Sequence, residues 1–333
     1  MKRERPEAVT SRRSKTQHRA DNQIAESHRT RPKGPDLSPI LCGAGSAVNT
    51  YGDNMKGHII AVTNQKGGVG KTTTTINLAQ ALALRGASVL VVDTDPQGNT
   101  TQGFGVPLEA IGKSVSDLIL SRELPADAAT YAGDGISLIP ATRRLAEVER
   151  EMVGMTNSEL RLARTLKAVR EKYSVIILDV PPTFGPLMNS ALNAADFLII
   201  PVDSGFYAMN GIKDMLAEIE EIKLGTNSNL NILGILLTLA DHTRMTGDVF
   251  DELVASFGDK VFTTRIRRNV KLKEAPALGK TIFHHAPTSS GAEDYLALAD
   301  EVMGQLKLCQ NEAAQVERPQ IASAIPMVVG GVQ

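Results

Sequence analysis

The stretch Thr63–Thr73, TNQKGGVGKTT, decides the fold of this chain. It overlaps the end of the apolar run His58–Thr63 (HIIAVT) and leads into Thr72–Arg85 (TTTTINLAQALALR), which reads as a helix. A glycine-rich turn between a strand and a helix that contains Gly-Lys-Thr is typical of a loop that binds phosphate groups. The stretch therefore predicts a nucleotide-binding loop, although a glycine turn can also serve only to connect a strand to a helix.

The loop differs from the common phosphate-loop pattern G-x-x-x-x-G-K-[ST] and carries a second lysine. Gln65 occupies the place of the first glycine, while Gly70, Lys71 and Thr72 match the second half of the pattern. We expect Lys71 to neutralise the terminal phosphates and the Thr72 hydroxyl to bind Mg²⁺. The residues alone leave the purpose of Lys66 open. The nucleotide is expected to contact Lys66, Gly67, Gly68, Val69, Gly70, Lys71, Thr72 and Thr73.

Apolar runs and helix-like segments alternate along the chain from residue 58. The runs are almost continuously apolar, as in strands that are buried on both faces. Together with the loop, this alternation predicts an α/β fold: a single P-loop NTPase domain with a mostly parallel, doubly wound sheet. The predicted strands are 58–63, 88–93, 136–140, 174–179, 197–202 and 232–238, and the predicted helices are 72–85, 158–172, 208–224, 246–257 and 292–308.

Aspartates follow two of the predicted strands. Asp93 and Asp95 come at and just after the end of the second strand, and Asp179 ends the fourth. A lone aspartate at such a place often caps a helix or a turn. Because neighbouring parallel strands end at the same crevice, we expect all three carboxylates to lie near the phosphate loop. An aspartate after an apolar strand is a usual second support for Mg²⁺ in nucleotide hydrolases.

Several blocks of sequence together resemble the ParA/Soj and MinD group of ATPases, whose phosphate loop is a deviant Walker A motif. The resemblance covers residues 58 to about 305, and its later blocks are more similar to ParA/Soj partition ATPases than to MinD. The blocks are KGGVGKTT (66–73), DTDPQGN (93–99), ILDVPPTFG (177–185), IPVDSGFYAMNG (200–211), GILLTLADHTR (234–244), RNVKLKEAPALGKTI (268–282) and SSGAEDYLALADEV (289–302).

The resemblance implies a role for each acidic residue and for the second lysine. In this group two subunits enclose two ATP molecules with Mg²⁺, and Lys66 matches the lysine that reaches the phosphates of the partner subunit. Asp95 would position the attacking water, Asp93 would support the loop, and Asp179 would hold Mg²⁺ through water. Asn269 would flank the adenine. The family block I-P-R-N-V reads IRRNV here, with Arg267 in place of proline, which leaves the adenine contacts open.

The resemblance also implies what the ATPase acts on. The ATP-bound dimer would bind DNA without sequence preference, and a ParB-like or cargo-adaptor protein would stimulate its slow hydrolysis and release it. The candidate DNA surface is a basic cluster of Arg265, Arg268, Lys271 and Lys273, with Arg267 among them. A solvated basic face is the alternative. The segment 247–260, which is often basic in the family, is mostly acidic here.

The same fold also supports functions other than DNA partition. A ParA-like positioner of a protein cargo, such as a chemoreceptor cluster or a microcompartment, fits the sequence as an alternative to DNA partition. A MinD-like membrane ATPase should end in a basic amphipathic helix, but residues 292–308 are acidic to neutral, so no membrane is expected as a partner. A metabolic ligase on the same fold is a further alternative, although nothing in the sequence suggests a substrate pocket. Cys42 and Cys309 lie outside the motif blocks, which excludes an iron–sulfur relative.

Charge divides the chain into a basic leader and an acidic body. Residues 1–35 hold ten Lys and Arg against four Asp and Glu, although the net charge of all 333 residues is −1. We expect a disordered basic extension at 1–56, the ATPase domain at 57–308 and a loose tail at 309–333. The extension is an arm for nucleic acid or a partner, a solvated tail, or untranslated sequence before Met55. The expected location is the cytoplasm, at the nucleoid.

Overall fold

A seven-stranded sheet runs through the part of the chain that the computed structural model describes, which is residues 57–121, 129–205 and 208–308. Its strands are β1 (His58–Val62), β2 (Val89–Asp93), β3 (Thr130–Gly133), β4 (Ile136–Ile139), β5 (Val175–Asp179), β6 (Phe197–Asp203) and β7 (Asn231–Thr238). Their order across the sheet is β3-β4-β2-β5-β1-β6-β7. The leader predicted at 1–56 and the tail predicted at 309–333 lie outside the described residues.

All neighbouring strands are parallel except β3 and β4, which form an antiparallel hairpin. The prediction of a mostly parallel sheet is therefore confirmed, and each of the six predicted strands is present. The sequence prediction missed β3. Its signal is the dipeptide Asp134-Gly135, whose residues have φ of 45° and 84°. Positive φ at both central residues is what a tight hairpin turn requires, and Asp-Gly favours it.

The helices are short except for four long ones. They are α1 (Lys71–Leu84), α2 (Asn99–Gly103), α3 (Val115–Ser121), α4 (Leu145–Met152), α5 (Arg161–Lys167), α6 (Pro186–Ala194), α7 (Ala208–Gly225), α8 (Arg244–Phe257), α9 (Lys271–Ala277), α10 (Ile282–His285) and α11 (Ser290–Leu306). Those that the sequence did not predict have nine residues or fewer, too few for an apolar periodicity to stand out.

The continuous helix predicted at 158–172 is wrong. The chain forms a 3₁₀ turn at Ser158–Leu160, then α5, and then a second 3₁₀ turn at Arg170–Lys172. Arg170 donates from its Nε to the carbonyl of Gly57, 2.6 Å away, and also pairs with Asp196. The second 3₁₀ turn therefore lies where Arg170 is bonded to the residue that precedes β1.

Helices cover both faces of the sheet, as the doubly wound prediction requires. Alternate residues of β1 point to opposite faces: Ile59 and Ala61 belong to a core that includes residues of α4, α5, α6 and α7. Ile60 and Val62 belong to a second core that includes residues of α1 and α11. None of the helices in the described residues is long and apolar enough to cross a bilayer.

Candidate functional site

The register of the sheet brings the predicted acidic residues to the phosphate loop. Asp179 at the end of β5 lies opposite Val62 on one side and opposite Asp93 on the other. The loop begins immediately after β1, so the central strands β2, β5 and β1 all end around it. This is the crevice at the carboxyl ends of the strands that the fold class predicted.

The phosphate loop, residues 64–70, is held at both ends by side chains that the sequence reasoning did not single out. Asn64 donates to the carbonyl of Pro201 at 2.7 Å and accepts the N–H of Lys66 at 2.9 Å. Thr238 donates to the carbonyl of Val69 at 2.7 Å. Both residues are polar and buried at or just beyond the end of a strand, which is the signal that could have identified them.

Glycine is needed in this loop because its backbone turns through left-handed conformations. Gly68 and Gly70 have φ of 77° and 88°, a region that other residues adopt at a cost. Gly70 is also the residue that immediately precedes α1. The free N–H groups at the beginning of that helix, together with the helix dipole, make this end of the loop suited to anions.

Lys71 is the first residue of α1, and its side chain is buried against the loop. Only 8% of the residue is exposed, and Nζ donates to the carbonyl of Lys66 at 3.1 Å. Burial lowers the pKa of Lys71, while the nearby carboxylates of Asp179 and Asp95 act in the opposite direction. A buried cation that curls over a glycine loop is placed to neutralise a phosphate of the same subunit.

Asp179 accepts hydrogen bonds from three threonine hydroxyls. Its carboxylate accepts from Thr100 at 2.6 Å, from Thr72 at 2.9 Å and from Thr75 at 3.2 Å. Complete burial raises the pKa of Asp179, and the three hydroxyls oppose that rise. The direct contact between Thr72 and Asp179 puts a hydroxyl and a carboxylate together, and both are the hard oxygen ligands that Mg²⁺ prefers. The donor set therefore fits the predicted metal.

Asp93 and Asp95 have different surroundings. Asp93 is fully buried and accepts the N–H and hydroxyl of Thr101, at 2.9 and 2.7 Å, and the N–H of Asp95 at 3.2 Å. Burial, and then the charge of Asp179, raise the pKa of Asp93. Asp95 uses one oxygen to accept the N–H of Gln97 at 2.9 Å. Within the described chain, its other oxygen accepts no hydrogen bond. Asp93 thus braces the turn, whereas Asp95 retains a free acceptor.

Glu149, on α4, also lies near the site, and no sequence motif marks it. Its carboxylate accepts the backbone N–H of Leu187 at the start of α6. Burial raises the pKa of Glu149, and the charge of Asp95 adds a smaller effect in the same direction. The residue becomes a neighbour of Asp95 only through the packing of α4 beside α6.

The second lysine of the loop occupies a different environment from the first. Lys66 Nζ lies 2.8 Å from both carboxylate oxygens of Asp203 at the end of β6, and its side chain is 43% exposed. Lys71 is instead buried against the loop. The two lysines therefore do not share one task within a subunit in this structure.

The segment predicted to flank the adenine is attached to α11. Arg267, which replaces the family's proline, pairs with Asp294 at 2.6 Å and with Glu293 at 3.0 Å. These hydrogen bonds raise the pKa of Arg267, so it stays charged. Asn269 donates to the Ser290 hydroxyl at 2.9 Å and accepts the N–H of Lys271 at 2.8 Å. An adenine contact by Asn269 stays a prediction.

The basic cluster predicted to bind DNA is exposed, but its members differ in their contacts. Arg265 stacks on the ring of Phe250 at 3.5 Å, and Lys271 pairs with Glu274 at 2.7 Å. Arg268 and Lys273 are exposed and form no ion pair with a described residue. These two side chains are therefore the ones that are available to bind phosphates.

Comparisons with known proteins agree with this geometry. A family model described as an AAA domain matches residues 57–232. Over 249 residues the chain is 45% identical to the chromosome-partitioning ATPase Soj of Thermus thermophilus. The matched region covers 74% of this chain and 96% of that protein. The chain is equally similar to the sporulation initiation inhibitor protein Soj of Bacillus subtilis, over 74% of this chain and 98% of that protein.

A solved structure supports the nucleotide chemistry of the fold. Cobyrinic acid a,c-diamide synthase from Mycobacterium smegmatis, crystallised with an ATP analogue and magnesium, is similar to this chain with a TM-score of 0.66 and 32% identity. The match covers 76% of this chain and 96% of that one. A protein of this fold thus binds a nucleotide, for which the phosphate loop is suited, together with Mg²⁺, for which Thr72 and Asp179 are suited.

Proposed function

Because this chain belongs to the ParA/Soj family of chromosome-partitioning ATPases, we propose that it segregates DNA as an ATP-dependent dimer. The dimer encloses two ATP molecules, binds DNA without sequence preference at the nucleoid, and is released when a ParB-like protein stimulates its slow hydrolysis. The observation that supports this proposal is the division between the loop lysines. Lys71 is buried beside its own phosphate loop, whereas Lys66 is exposed and pairs with Asp203 instead.

Residues of one subunit suffice to bind the nucleotide. The N–H groups from Gly67 to Thr73 and the Lys71 ammonium bind the phosphates. Thr72 would hold Mg²⁺ directly and Asp179 would hold it through water. When bound, Mg²⁺ neutralises phosphate charge and orients the terminal phosphate. The hydroxyls that bond to Asp179 keep its carboxylate aimed at Thr72.

Hydrolysis needs the second subunit in addition. Asp95 orients the attacking water with its free oxygen and accepts a proton from it as the water attacks the terminal phosphorus. Lys66 of the partner subunit stabilises the charge on the phosphate oxygens, as an arginine finger does. A single subunit lacks that cation at its phosphates, so basal turnover is slow.

Lys66→Ala tests this arrangement. We expect the variant to bind ATP with nearly normal affinity, because Lys71 remains, but to lose ATP-dependent dimerisation. Its turnover should fall by about 10³-fold, the size of an arginine-finger effect. Sedimentation velocity with and without ATP measures the dimer, and phosphate release measures the turnover. Lys113→Ala, at an exposed position, is the control. Normal dimerisation and turnover by Lys66→Ala would exclude the role in trans.

The double variant Arg268→Ala, Lys273→Ala tests the DNA surface. We expect it to weaken binding equally on two unrelated duplexes and to reduce the slope of log K against log salt by about 2 to 4, since each phosphate contact contributes about 0.9. ATP-dependent dimerisation should be unchanged. Fluorescence anisotropy across a salt series, with ATP present, gives both quantities.

A matched control for the DNA test lies on α5. Arg164→Ala, Lys167→Ala removes one arginine and one lysine from exposed positions outside the basic cluster, with the same loss of net charge. If the two double variants behave alike, the cluster is only a solvated face. The alternative of a ParA-like positioner with a protein cargo would then be favoured over DNA partition.

A further inference from the structure

The end of β6 holds Lys66 by both its main chain and its side chain. Both carboxylate oxygens of Asp203, the last residue of β6, accept from Lys66 Nζ at 2.8 Å. The backbone N–H of Lys66 donates to Asn64, and Asn64 in turn donates to the carbonyl of Pro201 on the same strand. The function proposed above uses Lys66 but assigns no task to Asp203.

The Asp203 carboxylate is itself fixed in place. It accepts the N–H of Gly205 at 3.4 Å, and its side chain is 22% exposed, compared with 43% for Lys66. A β-carbon at Gly205 would lie 3.2 Å from Lys66 Nζ, so the ammonium packs against the backbone at this point. Two short hydrogen bonds to a partly buried acid make a better-formed pair than most surface ion pairs. Lys66 therefore has a defined position in the free subunit.

This position competes with the task proposed for Lys66. An ammonium that is bonded to both oxygens of a carboxylate is already neutralised, so it must leave Asp203 to stabilise the phosphates of a partner subunit. An anion that displaces the carboxylate has to attract the lysine more strongly. The triphosphate of ATP carries more negative charge than one carboxylate, and ADP lacks the terminal phosphate. Without ATP in the partner subunit, Lys66 stays with Asp203.

Two such ion pairs have to open when two subunits join around two ATP molecules. The effect of one pair on the dimerisation constant is therefore squared. We propose that Asp203 is a positioning residue that retains Lys66 in the free subunit and thereby raises the concentration of ATP-bound protein at which the dimer forms. This inference rests on the proposed function, in which Lys66 acts on the phosphates of the partner subunit.

Asp203→Asn tests the proposal. Asparagine removes the charge but keeps an oxygen that can accept the N–H of Gly205, so the turn after β6 should persist. The loss of one exposed ion pair changes an equilibrium by about threefold, so the loss of two should lower the dissociation constant of the ATP-bound dimer by about tenfold. Sedimentation velocity with ATP and Mg²⁺, over a series of protein concentrations, measures that constant. An unchanged or weaker dimer would overturn the proposal.

Turnover separates this role from a structural one. We expect Asp203→Asn to reach half of its maximal turnover at about tenfold lower protein concentration than the parent, for the same loss of two ion pairs. The maximal rate per dimer should be that of the parent, because Lys66 has left residue 203 once the dimer has formed. Phosphate release over the same protein series gives both values. A damaged site would instead lower the maximal rate at every concentration, which would also contradict the proposal.

A second variant at Lys66 shows whether the effect passes through that lysine. The double variant Lys66→Ala, Asp203→Asn should dimerise no better than Lys66→Ala, because no ammonium is left for Asp203 to retain. A tenfold gain from Asp203→Asn in the Lys66→Ala background as well would mean that only the surface charge matters, and the proposal would be wrong.

Asp300→Asn is the matched control. Asp300 accepts from Arg85 Nε at 2.6 Å and from Nη2 at 2.7 Å, and Arg85 follows the end of α1 that is opposite to the phosphate loop. The control therefore removes an equal charge from a pair that also has two hydrogen bonds. We expect no change in dimerisation. A gain equal to that of Asp203→Asn would again reduce the effect to surface charge.

The ion pair can also be measured in the free subunit, without nucleotide or partner. Acetylation by a small active ester, followed by mass spectrometry, reports how freely each lysine amine reacts. We expect Lys66 to react about threefold faster in Asp203→Asn than in the parent, as for one exposed ion pair. Lys113, at an exposed position, is the reference within the same chain. Equal Lys66 rates in the two proteins would show that Asp203 does not retain the lysine in solution.

Failure of this proposal and failure of the proposed function give different results. If Lys66→Ala loses the dimer while Asp203→Asn leaves dimerisation and acetylation unchanged, only the role of Asp203 is wrong. If Lys66→Ala dimerises and hydrolyses ATP normally, the role of Lys66 in trans fails, and the role of Asp203 fails with it.

Discussion

Lys71→Ala is expected to lower the affinity for ATP with Mg²⁺ by roughly 100-fold or more, since charge-assisted hydrogen bonds to phosphate are among the strong ones. Lys71 is the only buried cation among residues 64–73, and its ammonium already lies 3.1 Å from the loop carbonyl of Lys66. The carboxylates of Asp179 and Asp95 act electrostatically on Lys71. Without the lysine, those negative charges would oppose the incoming phosphates instead of being balanced.

Isothermal titration calorimetry with ATP and Mg²⁺ measures this effect. Lys66→Ala, in the same loop, is the control, because it removes an equal charge but should leave the affinity nearly unchanged. Lys71→Gln keeps more of the side-chain volume and guards against a packing defect. An unchanged dissociation constant in both Lys71 variants, with normal circular dichroism spectra, would show that the phosphates bind elsewhere.

Asp95→Asn is expected to reduce turnover by about 10²- to 10³-fold, which is the usual contribution of a group that orients water and takes its proton. Nucleotide binding should persist, because the loop and Lys71 are intact. Asparagine also keeps an oxygen that can accept the N–H of Gln97, so the turn should keep its shape. ATP should therefore hold the variant as a dimer, the reverse of the result expected for Lys66→Ala.

Single-turnover hydrolysis and sedimentation in the same ATP-containing buffer separate the two variants. A dimeric Asp95→Asn that does not hydrolyse, beside a monomeric Lys66→Ala, would assign the water to Asp95 and the cation in trans to Lys66. Asp117→Asn, which removes a carboxylate at a surface ion pair with Arg144, is the control. If Asp95→Asn hydrolyses ATP at the parent rate, the water is oriented by another residue.

The motifs of the site are local, which is why they can be recognised in the sequence. The phosphate loop is a continuous segment, and the strands on either side of it are continuous apolar runs. Asp93 and Asp179 were placed correctly because both end predicted strands, and parallel strands end at one edge of a sheet. The hairpin strand β3 and the short helices α3, α4 and α6 were missed, since their patterns extend over too few residues.

The sequence by itself determined the fold class, the phosphate loop, and the family to which the chain belongs, because these depend on patterns that neighbouring residues carry. Only the tertiary structure decided which side chains hold that loop and what each charged residue contacts. Thr238 lies 169 residues from Val69, and Asp203 lies 137 residues from Lys66. Arg267 turned out to be paired with α11. Such contacts arise from packing between strands and helices that are distant along the chain, so no local sequence pattern predicts them.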